Sequence, residues 1–112
     1  MKMPLSKLAH ARSGDKGDTA NIAVIAWDAA AYGFLRWQLT AERVGTYFTD
    51  RVGGPVERYE APDLMSLNFV LQRALGGGGT VSLRIDAQGK TLAAALMNME
   101  VECELDVPAD RP

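Results

Sequence analysis

Cys103 is the only cysteine in 112 residues, so no disulfide can close within the chain and a disulfide-stapled fold is excluded. His10 is the only histidine, which rules out a His-rich metal centre built from one chain, and no metal or cofactor is expected. Neither sign of charge dominates. Twelve Lys and Arg against fourteen Asp and Glu leave a formal net charge of −2, which gives no general affinity for nucleic acid or for an anionic membrane. Nowhere do ~18 apolar residues run together, and the opening "MKMPLSKLAHARSGD" lacks the apolar centre of a signal peptide. These absences point to a soluble, cytoplasmic protein.

What is present is ordinary globular composition, 47% apolar and 23% charged, enough for one modest core. A single domain over residues 1–107 is expected, with a frayed tail at 108–112, "PADRP". "NIAVIAW" reads as a strand covered on both faces, and "MPLSKLA" as a weaker strand. Asp28 is placed to cap a helix through "AAAYGFLRWQL", and Thr40 to cap a second one or a continuation. "VGGP" breaks the chain, and "VERYEA", polar on both faces, suits an edge strand. Leu64, Leu67, Leu71 and Leu75 recur at three- and four-residue steps after Pro62 and Asp63, which predicts a helix ended by Gly76. Met65 and Phe69 would then form a second apolar side of that helix, covered by core or by another copy. The tetraglycine at 76–79 connects to "TVSLRID", an alternating half-buried strand, and "AQGK" is a turn. "TLAAALMN" reads as a short helix. From Met97 to Asp106 apolar and polar residues alternate as in a strand whose start is ambiguous. Cys103 falls on the apolar side, as a buried inert thiol, and Glu100, Glu102, Glu104 and Asp106 form a solvated acidic row. The sum is an α+β fold, a ferredoxin-like sandwich with one mainly antiparallel sheet and helices packed on one face.

The chemistry concentrates in "HARSGDKGDTAN", residues 10–21, read as a polar loop between two strands. Gly14 and Gly17 permit positive φ, so successive N–H groups can form a concave anion nest, with His10, Arg12 and Lys16 adding charge. Ser13, Thr19 and Asn21 supply hydrogen bonds, and Asp15 and Asp18 could hold a hard cation. The same residue types also make self-satisfied turns. The spacing is not that of a phosphate-binding P-loop, and a Ser13–His10–Asp15 triad needs geometry that near neighbours in one loop rarely supply. Asn68 falls within the leucine stripe, where a buried amide needs partners: nearby main chain, the polar loop, or a ligand.

Three segments, "LAHARSGDKGDTANIAVIA", "GPVERYEAPDLMSLNFVLQRALGGG" and "SLRIDAQGKTLAAALMNME", resemble the C-terminal ferredoxin-fold domain of the AtuA (acyclic terpene utilisation) family. The resemblance spans roughly Leu8 to Glu100 and is most specific in its first block. It implies a ferredoxin-like fold and a setting near acyl-CoA or terpenoid catabolism, without implying a reaction. The positions it marks are His10, Arg12, Ser13, Gly14, Asp15, Lys16, Gly17, Asp18, Thr19, Asn21 and Asn68. In that family the domain often follows a larger one, so a separately encoded large AtuA-like partner is expected. The leading expectation is a stand-alone accessory domain, not an enzyme by itself, that docks this partner through residues 10–21. The alternative is a domain or enzyme that binds an acyl-CoA, carboxylate or phosphate at the same residues. A homo-oligomer is also expected, because a one-layered sheet leaves a face needing cover.

Overall fold

The computed structural model describes residues 1–16, 19–48, 55–72, 92–105 and 107. Strand β1 (Lys2–Pro4) and a 3-10 turn (Leu5–Lys7) lead into β2 (Ala9–Lys16) and β3 (Thr19–Ala26). Helices α1 (Ala29–Gln38) and α2 (Ala41–Tyr47) follow, then β4 (Val56–Ala61), a second 3-10 turn (Pro62–Leu64) and β5 (Ser66–Leu71). Residues 92–97 are helical, and β6 (Glu100–Glu102) closes the described chain. The expected tail at 108–112, the break at 52–54, the Gly76 cap, the tetraglycine, the "TVSLRID" strand and the "AQGK" turn all lie outside the described residues.

Four strands form one antiparallel sheet in the order β2-β3-β5-β4, while β1 pairs with β6 in a separate antiparallel ribbon. Strands β3 and β4 both run antiparallel to β5, so they are parallel to each other with the two helices between them. That is a split β-α-β arrangement, an α+β fold of ferredoxin-like kind. Along β3 the side chains alternate without exception. Ala20, Ile22, Val24 and Ala26 are buried, and three of them pair in register with buried Leu71, Phe69 and Leu67 of β5. Ala31, Leu35, Leu39, Val44, Phe48, Leu92 and Leu96 join the same core, so helices cover one face of the sheet. The expectation that β3 is covered on both faces is therefore corrected: Asn21, Ala23 and Ile25 on its other face are half-buried.

Both helix caps form where the sequence places them. An Asp28 carboxylate oxygen accepts from the Ala31 N–H at 2.8 Å, and the Thr40 hydroxyl accepts from the Arg43 N–H at 3.0 Å. "VERYEA" is the edge strand β4, and Arg58 fastens it to α1 by donating to the Arg36 and Leu39 carbonyls at 2.8 and 3.0 Å. A cation on unpaired carbonyls at a helix C-terminus is favourable both as a hydrogen-bond donor and against the helix dipole.

The helix expected after Pro62 is the main correction. Pro62–Leu64 make only a 3-10 turn, Met65 adopts a left-handed φ of 49°, and Ser66–Leu71 are a strand. Leu64 is 69% exposed, whereas Leu67, Phe69 and Leu71 alternate into the core. Phe69 is thus a core residue, not part of a second helix side, and Met65 packs partly buried against that core. The same leucines satisfy a period of three to four and a period of two; strand partners on both sides of β5 decide for the latter.

At the other end, the helix stops at residue 97 and the alternation resolves into β6, with Cys103 buried and Glu100, Glu102 and Glu104 exposed. The Met1 ammonium pairs with Glu102 at 2.6 Å and Glu104 at 3.1 Å, which lowers the Glu102 carboxyl below its ordinary range and raises the amine.

Candidate functional site

Residues 10–21 are not a loop. They form most of the β2–β3 hairpin, paired from Ala9↔Ala26 to Lys16↔Thr19. Alternate N–H groups of β2 are directed to β3, and the intervening ones point outward about 6.8 Å apart, too far to converge on one anion. The nest expected over these residues is therefore absent from the described part of the segment. Gly17 and Asp18 lie outside the described residues, and Asp15 and Lys16 are placed by backbone only, opposite Ala20 and Thr19.

Register then sorts the side chains. Directly paired residues share a face, so the sheet surface away from the helices carries three rows: His10–Ile25–Ser66–Ala61, Arg12–Ala23–Asn68–Tyr59 and Gly14–Asn21–Val70–Glu57. His10, Arg12, Gly14, Thr19, Asn21 and Asn68 thus lie together on one open face, whereas Ser13 alternates to the other. Ser13 lines an open depression of about 380 Å3 with Ala11, Arg12, Ala93, Ala94 and Met97. His10 and Ser13 on opposite faces cannot act as a nucleophile pair.

The polar groups of this face bind one another. Asn21 donates from Nδ2 to Asn68 Oδ1 at 2.9 Å, so Asn68 meets the hairpin as a strand neighbour, not from a helix. Gly14 leaves room for this amide: a Cβ there would stand 3.1 Å from Asn21 Oδ1, which would have to give by a few tenths of an ångström. Along the next row, the Thr19 hydroxyl reaches Gln72 Oε1 at 3.3 Å and Gln72 Nε2 reaches Glu57 Oε1 at 3.4 Å. Tyr59 donates its hydroxyl to Glu57 Oε2 at 3.3 Å. The charge of Glu57, and secondarily that hydrogen bond, raise the Tyr59 pKa above the ordinary phenol value. At the far end His10 stacks on Trp27, ring centroids 4.5 Å apart, and Trp27 Nε1 donates to the Ser6 carbonyl at 3.1 Å. Arg12 is exposed and has no hydrogen-bonding partner among the described residues.

Sequence reasoning missed Glu57, Tyr59 and Gln72 as members of this face. The polar residues of "VERYEA" mark an edge strand, but only strand pairing shows that Glu57 and Tyr59 share a face with Asn68, and Gln72 has no local signal. Among the described residues no group of three His, Cys, Asp or Glu is arranged to hold a metal, and no helix is long and apolar enough to cross a membrane.

An antiparallel four-stranded sheet with helices on one face and a self-bonded polar surface on the other defines the class: an α+β sandwich whose second sheet face is covered by no helix among the described residues. Residues 3–102 match the family model of the AtuA ferredoxin-like domain. The chain belongs to that family, as the resemblance implied. No curated protein and no solved structure matches it.

Proposed function

We propose that the protein is a cytoplasmic accessory domain of an AtuA-like system, acting in acyl-CoA or terpenoid catabolism. It docks a larger AtuA-like subunit through the open face of its sheet. The observation that carries this reading is the gathering of His10, Arg12, Gly14, Asn21 and Asn68 on one sheet surface that no helix among the described residues covers. Half-buried Ala23, Ile25 and Val70 share the middle of that surface with Asn21, Ser66 and Asn68, and exposed Arg12, Glu57 and Tyr59 lie at its margins. Aromatic and arginine side chains around a partly apolar middle are features of protein interfaces. The amides and carboxylate are tied to neighbours within the face, which favours a broad contact over a ligand cavity.

Affinity purification from the host tests this. The wild type is expected to retain a larger AtuA-like subunit, and Arg12→Glu to lose it. Recovery of no such subunit, or equal recovery by both proteins, would contradict the proposal. Binding of an acyl-CoA, carboxylate or phosphate at Arg12 is the competing reading, favoured by that exposed guanidinium alone. A thermal shift with such an anion, abolished in Arg12→Ala, would establish it.

A further inference from the structure

The open face has a direction. Its β2 margin carries His10 and the exposed guanidinium of Arg12, and its β4 margin carries exposed Glu57 and Tyr59, which is 53% exposed. One margin is cationic, the other anionic and aromatic. We infer that this face pairs with the same face of a second copy, about a two-fold axis running parallel to the strands between β3 and β5. The inference deepens the docking reading above by naming what covers the face when the larger subunit is absent.

Rotation about that axis lays β2 of one copy over β4 of the other. Because Arg12 and Tyr59 end the same row, the guanidinium of one copy comes over the Tyr59 ring of its partner, beside the Glu57 carboxylate. That combines a cation–π contact with an ion pair, and the symmetry makes both twice. Gly14, ending the row of Glu57, presents no side chain opposite that carboxylate. In the middle, Ala23, Ile25 and Val70 of one copy lie over Asn68, Ser66 and Asn21 of the other. The other in-plane two-fold, across the strands, would stack β2 on β2 and β4 on β4, laying the cationic margin over itself and the anionic margin over itself, so charge selects the first arrangement. Sheets facing each other pack roughly 10 Å apart with strands within about 30° of alignment, which this axis satisfies.

Size sets the strength. Four strands spaced about 4.8 Å and six residues rising about 3.4 Å each give a flat footprint of roughly 400 Å2 per copy. Stable interfaces bury about 800 Å2 of accessible surface per partner. The pair is therefore weak and concentration-dependent, and a larger subunit with more contact area displaces it.

Sedimentation of the pure protein over a wide concentration range tests the inference without any larger subunit, so its failure is separate from failure of the docking reading. The wild type is expected to pass from monomer to dimer. Arg12→Glu and Glu57→Arg each weaken the dimer by about tenfold or more, since each replaces two attractive contacts by two repulsive ones. Arg12→Glu combined with Glu57→Arg recovers part of it relative to either single reversal, because the swapped charges again face their opposites while the cation–π contact stays lost. Both positions are exposed, and circular dichroism confirms the fold of each variant. A wild type that stays monomeric throughout overturns the inference, as does a dimer indifferent to either single reversal or a double variant that fails to recover.

Discussion

The hydrogen bond between Asn21 and Asn68 is the sharpest test of how β5 is built. The two residues are 47 apart in sequence, and their amides meet at 2.9 Å only because β5 lies beside β3. Substituting either residue by alanine mixes several effects, including loss of the bond, an amide left unpaired and the poor strand propensity of asparagine. A double-mutant cycle with Asn21→Ala, Asn68→Ala and the pair cancels everything except the term the two share. A neutral hydrogen bond contributes about 0.5–1.5 kcal/mol, and this one is only partly buried, so a coupling of roughly 0.5–1 kcal/mol is expected. Urea unfolding, with a slope of roughly 1–3 kcal/mol per molar, resolves that as a midpoint departure of a few tenths molar from additivity. Additivity within ~0.3 kcal/mol would refute the amide–amide bond and the polar link it makes across the face.

Other consequences are simpler. Phe69→Ala should destabilise by about 3–5 kcal/mol, because Phe69 is fully buried, whereas Leu64→Ala, at a side chain 69% exposed, should stay within about 0.5 kcal/mol by the same urea assay. The Tyr32 hydroxyl is buried without a hydrogen-bonding partner among the described residues, so Tyr32→Phe should leave the unfolding free energy unchanged or raise it by up to about 1–3 kcal/mol; a loss of stability would show an unseen partner. Glu57→Gln removes the repulsion that raises the Tyr59 pKa, so the ionisation midpoint of that ring, followed by NMR, should fall towards the ordinary phenol range. An unmoved midpoint would separate the two side chains.

How much was legible beforehand follows the reach of each interaction. The caps at Asp28 and Thr40 and the edge strand "VERYEA" were readable because a few neighbouring residues determine them. β5 resembles a helix in sequence because Leu64, Leu67 and Leu71 fit helical spacing as well as Leu67, Phe69 and Leu71 fit alternation. The choice between them is made by β3 and β4 on either side, which lie far away in sequence. The hairpin reads as a loop in sequence for a related reason. Polar residues signal turns, yet here they line a strand pair with one face open to solvent. Residues 10–21 still stood out as a unit because they are contiguous. Glu57, Tyr59 and Gln72 reach the same surface through register alone, and nothing local to them announces it.

The central claim is that this family member works through its open sheet face, and comparative oxidative footprinting addresses it most directly. Tyr59 lies on that face, 53% exposed, and Trp37 lies on helix α1, 74% exposed. Labelled free and in its assembled state, the protein should show Tyr59 strongly protected on assembly while Trp37 reacts as before. Protection of Trp37 with Tyr59 unchanged would place the contact on the helical side and contradict the account.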